Sequence, residues 1–154
     1  MKSFCFIIIL LQALFIYTIP DNENNEMSQF TPANYFGECE FYFRRPENWG
    51  RNLTVYAYNE AQNTELSSWP GKPLRVYDYY EDENVYYGKI YCEYFVDDTR
   101  IIFSDGKNQS PLPLKEGFRI KERGLYTKKG LVSICHYKEV APGKYIKTLV
   151  CEKI

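Results

Sequence analysis

The chain has 154 residues, which fits one domain, and its 19 basic and 20 acidic side chains give a formal net charge of −1. A charge this close to zero is not typical of nucleic-acid-binding proteins, so no nucleic-acid partner is expected. A chain of this length can bury one core, and covalent cross-links would help to stabilise it.

The first twenty residues are typical of a signal peptide. Lys2 gives the positive start, residues 4–15 are apolar with one interruption, and a polar segment follows. The apolar run is shorter than the roughly 20 residues that a membrane-spanning helix needs. We therefore expect residues 1–20 to be removed by cleavage. The mature protein should then be secreted or lumenal, without membrane association. Residues 21–34 are polar and asparagine-rich, which predicts a flexible lead-in.

Cysteine and asparagine positions fit an oxidising, secretory compartment. Cys5 leaves with the signal peptide, and the even number that remains predicts two disulfides with three possible pairings. Their wide spacing contains no C-x-x-C, so no zinc site is expected. No other metal and no cofactor is predicted. The four cysteines are Cys39, Cys92, Cys135 and Cys151. Asn52 opens an Asn-Leu-Thr glycosylation site, whereas the one at Asn108 is disfavoured by the proline after it.

Short alternating segments separated by turn residues predict an all-β fold. No window after the signal peptide has helical spacing of apolar residues. We expect a two-sheet antiparallel β-sandwich, immunoglobulin-like, over residues 35–127, and a C-terminal hairpin over residues 128–154 around Ala141-Pro142-Gly143. Seven to nine strands are predicted, within residues 40–43, 53–58, 74–77, 85–95, 100–103, 118–120, 124–127, 131–137 and 145–151.

The stretch from Val55 to Gly71 predicts an aromatic binding surface. Successive strand residues face opposite sides, so Tyr56 and Tyr58 share one face, and Trp69 can return beside them after a turn. Sugar rings present flat C–H faces that lie well on such rings, while their hydroxyls stay free. The alternative interpretation is ordinary sandwich packing, because aromatic residues are common in strands.

Five motifs in this order resemble the starch-binding modules of carbohydrate-binding module family 26 and, more loosely, family 25. The resemblance covers Phe41 to Pro111, and no single motif is specific alone. The motifs are Phe41 to Trp49, Val55 to Glu60, Trp69 to Lys72, Tyr86-Tyr87 and Arg100 to Gln109. The lead-in, the cysteines and the tail after Thr127 fall outside the pattern.

The resemblance implies a β-sandwich that binds α-1,4-linked glucans and has no catalytic activity of its own. Starch chains curl, so a strand tyrosine and a turn tryptophan set at an angle would match two tilted glucose rings. The carbohydrate-binding residues that the resemblance implies are Tyr56, Tyr58, Trp69, Lys72, Asn108 and Gln109. A partner glycoside hydrolase or a homo-oligomer would supply the avidity that one open site lacks.

Two other functions remain open from the residues. A small glycoside hydrolase would need a pair of carboxylates, and turns supply the candidates, which we interpret as solvated: Asp78, Glu81, Asp82, Glu83, Asp97 and Asp98. His136 beside Cys135 would suggest a thiol nucleophile, but an oxidised cysteine is expected there. A small disulfide-stapled protein could also be a protein-binding ligand or inhibitor, with the terminal hairpin offering its edge.

Overall fold

A computed structural model describes residues 37–92 and 98–154, and within them every regular element is a β-strand. Five of the twelve strands are only two residues long, and the three strands that the sequence missed are among these five. The strands are β1 Glu38–Arg44, β2 Thr54–Asn59, β3 Thr64–Glu65, β4 Lys72–Pro73, β5 Arg75–Val76, β6 Val85–Tyr91, β7 Thr99–Ser104, β8 Gln109–Ser110, β9 Phe118–Arg119, β10 Gly124–Thr127, β11 Gly130–Ala141 and β12 Lys144–Lys153.

The strands form two sheets, which confirms the all-β sandwich and its C-terminal hairpin. The first sheet has the order β12-β11-β10-β1-β6-β5, and the second has β3-β2-β7-β8, with β4 beside β2 and β9 beside β7. Pairing is antiparallel except between β1 and β10, which run parallel. The predicted signal peptide, the lead-in to residue 34, Asp97 and the end of the predicted 85–95 strand lie outside the described residues.

The main core lies between the two sheets. Phe41 and Phe43 of β1 face Val55, Ala57 and Phe103 of the second sheet, and all five are at most 1% exposed. The rings of Phe43 and Phe103 are stacked, with centroids 4.0 Å apart. These contacts fix how the sheet that carries the tyrosines sits on the rest of the molecule.

A second core covers the outer face of the first sheet. Tyr42 points away from its neighbours Phe41 and Phe43 and is fully buried in a cluster with Tyr77 and Leu149. Leu149 belongs to the C-terminal hairpin, and the Tyr77 hydroxyl donates a hydrogen bond to the Lys147 carbonyl oxygen. Because the hairpin closes this face, β1 is buried on both sides, as its continuous apolar sequence requires.

Both disulfides are present, and they select one of the three possible pairings. Cys39 in β1 is bonded to Cys92, just after β6, with their Cα atoms 5.8 Å apart. Cys135 and Cys151 lie directly opposite each other in β11 and β12, with Cα atoms 4.0 Å apart. The second bond therefore joins the two arms of the hairpin to each other.

Within residues 37–92 and 98–154, no helix is long and apolar enough to cross a membrane. The same residues contain no group of three or more histidine, cysteine or acidic side chains arranged to hold a metal ion.

Candidate functional site

The outer face of β2 carries two tyrosines side by side. Burial alternates along the strand: Val55 and Ala57 are at most 1% exposed, whereas Tyr56 and Tyr58 are half-buried and face outward. The two tyrosine ring centroids are 5.9 Å apart, and their planes differ by 32°. The period of two along a strand therefore places both rings on one face, as the sequence predicted.

A tight turn brings Trp69 against this pair. The Gly71 amide donates to the Ser68 carbonyl oxygen at 2.7 Å, which closes the turn around Trp69. Gly71 has a φ of 106°, and a Cβ there would lie 2.0 Å from the Val55 carbonyl oxygen, so only glycine fits. The Trp69 ring centroid lies 5.5 Å from that of Tyr56 at an angle of 66°. Trp69 remains 54% exposed.

The hydroxyls of both tyrosines are held in place. Tyr56 donates to Glu65 Oε1 at 2.8 Å, and the Gly117 amide donates to the Tyr58 hydroxyl at 3.0 Å. Desolvation and the hydrogen bond to the Glu65 carboxylate raise the pKa of Tyr56, so this hydroxyl stays protonated. Tyr58, Tyr56 and Trp69 thus form an oriented row of rings, which we call the aromatic row.

A cleft of about 520 Å³ opens beside Trp69. It contains two of the polar residues proposed from the sequence, Asn108 and Gln109. Tyr56 and Tyr58 do not line it, and Lys72 does not either, because Lys72 lies on edge strand β4 opposite Val55. The lining residues are Trp49, Trp69, Ser104, Gly106, Lys107, Asn108, Gln109, Ser110, Leu112, Pro113, Lys128 and Lys129.

Asp105 shapes the loop that forms one side of the cleft. Its carboxylate accepts hydrogen bonds from the backbone amides of Gly50, Lys107 and Asn108 at 2.6–2.9 Å, and from the Asn108 side chain at 2.9 Å. Desolvation alone would raise the pKa of Asp105, but the hydrogen bonds from Asn108, Gly50 and Lys107 together hold it well below its usual value of 3.8. The charged carboxylate therefore fixes the position of Asn108.

The two amide side chains of the cleft present their oxygens. Asn108 Nδ2 donates to Asp105 Oδ2, and Gln109 Nε2 donates to the Pro111 carbonyl oxygen at 3.1 Å. Among the described residues, neither amide oxygen accepts a hydrogen bond. Each side chain can therefore accept a hydrogen bond from a hydroxyl, and each NH₂ group retains a second N–H.

An exposed ring next to amide groups is the arrangement that a sugar-binding surface requires, and the sequence comparison agrees. Residues 41–113 match the family model described as Starch-binding module 26. This segment is similar to the modules of that family. The matched segment contains the whole aromatic row, Asn108 and Gln109, whereas strands β9 to β12 follow it.

Two solved structures are similar to the chain at 24% sequence identity, both of the family 26 module of a Bacillus halodurans amylase. One, in complex with maltose, aligns with a TM-score of 0.44 over 57% of this chain and 89% of that chain. The other has a TM-score of 0.43 and covers 60% of this chain and 88% of that chain. No curated protein sequence matches the chain.

Sequence reasoning missed several cleft residues, both in the matched segment and in the chain that follows it. Trp49 is 7% exposed and packs against Phe43, so it belongs to the core as well as to the cleft floor. Leu112 is exposed and belongs to no alternating apolar pattern, so the sequence did not indicate a role for it. Lys128 and Lys129 form a turn that is distant in sequence, and only the pairing of β10 with β11 brings it to the cleft.

The other predicted sites fall away from the cleft. Asn52 is exposed just before β2. Among the acidic residues, Asp78, Glu81 and Glu83 are exposed, and Asp82 forms an ion pair with Arg44 at 2.9 Å. These carboxylates do not line the cleft.

Proposed function

We propose that this protein is a secreted, non-catalytic starch-binding module that holds α-1,4-linked glucans by stacking glucose rings on Trp69 and the adjoining tyrosines. The observation that carries the proposal is the exposed Trp69 ring, set at 66° to Tyr56 and opening onto a cleft with two free amide oxygens. Asn108 and Gln109 would accept hydrogen bonds from glucose hydroxyls.

The angle between the rings favours a curved polymer. Successive glucose units of an α-1,4-linked chain tilt relative to one another, so two planes at an angle can each support one unit. A flat β-linked chain would instead favour coplanar rings. The Tyr56 and Tyr58 planes differ by only 32°, so the strong change of direction lies between Tyr56 and Trp69.

An open site of this kind gives modest affinity, because hydrogen bonds to sugar hydroxyls replace hydrogen bonds to water. Several modules on one polymer would raise the apparent affinity without new contacts. We therefore propose that the protein acts as a homo-oligomer or beside a glycoside hydrolase. Lys72 has a secondary role at most, because it lies outside the cleft.

Secretion is supported by the two disulfides and by the exposed position of Asn52, the proposed glycosylation site. A non-catalytic role is supported by the family of the matched segment and by the position of the acidic residues away from the cleft.

A retention assay tests the proposal. The purified protein should be retained on insoluble starch and on glycogen immobilised on a resin, and should pass through cellulose and chitin. Retention on cellulose equal to that on starch would contradict the assignment of an α-glucan. Release of reducing sugar from soluble starch by the same preparation would contradict the non-catalytic role.

A further inference from the structure

One wall of the cleft comes from outside the family match. Lys128 and Lys129 occupy the turn between β10 and β11, beyond residue 113 where the match ends. The Ser110 hydroxyl, in a residue only 3% exposed, donates to the Lys128 carbonyl oxygen at 2.8 Å. The Lys129 amide donates to Thr127 Oγ1 at 3.2 Å. The bond from Ser110 attaches the turn to the cleft, and the bond from Lys129 lies within the turn itself.

The cleft is positively charged although the chain as a whole is not. Lys107, Lys128 and Lys129 line it, all three exposed, and no acidic residue of the described chain does. The nearest acid in sequence, Asp105, already accepts four hydrogen bonds through its two carboxylate oxygens. Among the ion pairs of residues 37–92 and 98–154, none uses these lysines.

A neutral glucose ring gives no reason for three lysines in one cleft. Lysine is a compact charge with three donors, suited to a tetrahedral oxyanion that it can approach from several directions. Because Lys107, Lys128 and Lys129 line the same cleft as Trp69, more than one of them could contact a single anionic group there.

We propose that the preferred ligand is an α-glucan that carries phosphate monoesters, with a glucose ring on Trp69 and a phosphate held between Lys107 and the Lys128-Lys129 turn. This inference rests on the proposed function, because it assigns a substituent to the polymer bound at that same site. Strands β10 and β11 thereby contribute to ligand choice through the turn that joins them.

The test compares one amylopectin before and after its phosphate is removed with alkaline phosphatase. The wild-type protein should bind the phosphorylated form roughly three- to tenfold more tightly at about 50 mM salt, which is the range expected for a few exposed charge contacts. The preference should shrink when salt is raised to about 500 mM, because exposed charges are then screened. In Lys128→Gln/Lys129→Gln the ratio of the two affinities should fall toward one.

The matched control is Lys138→Gln/Lys153→Gln, which removes two exposed lysines from the hairpin away from the cleft and should leave both affinities unchanged. Equal wild-type binding of the two amylopectins would overturn the phosphate inference and leave the proposed function standing. Failure to bind either form would overturn both. If inorganic phosphate at the same phosphate concentration displaced the protein completely, the cleft would be a simple anion site and the inference would also fail.

Discussion

Replacing Trp69 with alanine is the most direct perturbation of the proposed site. Trp69 is 54% exposed, and for a side chain of about 250 Å² this leaves roughly 130 Å² open to a ligand. A sugar covering one face of the ring would bury about half of that area, ~65 Å², which is worth ~1.6 kcal/mol at about 25 cal/mol per Å². Trp69→Ala should therefore raise the Kd for soluble amylose about 10- to 15-fold.

The same change should have a small effect on folding. It removes the edge-on packing of the Trp69 ring on Tyr56, and such a ring pair contributes about 0.5–1.5 kcal/mol. The free energy of unfolding should fall by no more than this amount. Chemical denaturation of both proteins, followed by circular dichroism, would measure that difference.

Tyr91→Ala is the matched control, because Tyr91 is 56% exposed but lies on β6 of the other sheet. Isothermal titration calorimetry with amylose should show binding by Tyr91→Ala equal to that of wild type. The reasoning is refuted if Trp69→Ala binds within twofold of wild type, or if both variants lose affinity equally. It is also refuted if Trp69→Ala does not fold, since Trp69 would then be a core residue.

Three further outcomes follow from the structure. Gln109→Ala should weaken amylose binding less than Trp69→Ala does, because it removes one acceptor to a hydroxyl that water can replace, as calorimetry would show. The lowered pKa of Asp105 stabilises the fold above the unfolded value near 3.8, and this contribution is lost as the pH falls below about 4 toward the lower folded pKa. Urea denaturation between pH 6 and pH 2.5 should therefore show a smaller acid-induced loss of stability in Asp105→Asn than in wild type, and an equal loss would contradict the role of this carboxylate. Phe103→Ala should lower the free energy of unfolding by about 3–5 kcal/mol, because it removes a fully buried ring stacked on Phe43, and a loss below 1 kcal/mol in the same assay would contradict that packing.

Local periodicity was enough to predict the aromatic row. Alternation in β2 put Tyr56 and Tyr58 on one face because a strand repeats every two residues, and the Pro-Gly after Trp69 marked the turn that returns it to them. Those features depend on neighbours within about fifteen residues of sequence. The hairpin around Pro142 and Gly143 was predictable for the same reason.

Features that depend on distant pairing were not predictable. The parallel contact between β1 and β10 joins Phe41 to Gly124, and nothing in either segment specifies the direction of its partner. The two-residue strands β3, β4 and β8, which the sequence missed, are too short to show a period. In the sequence, the two lysines of the β10–β11 turn look like the residues of any solvated turn. Only the packing of the second sheet beside them shows that they line the cleft.

The recognisable segment is narrower than the unit that folds. A fragment ending at residue 113 would lack β10, the strand that lies between β1 and the hairpin, together with Tyr126, which is fully buried against Phe103. Such a fragment would expose the outer face of β1 to water and lose two of the three lysines that line the cleft. Anyone grafting this module onto another protein should therefore carry the chain through to Lys153, where the last strand ends.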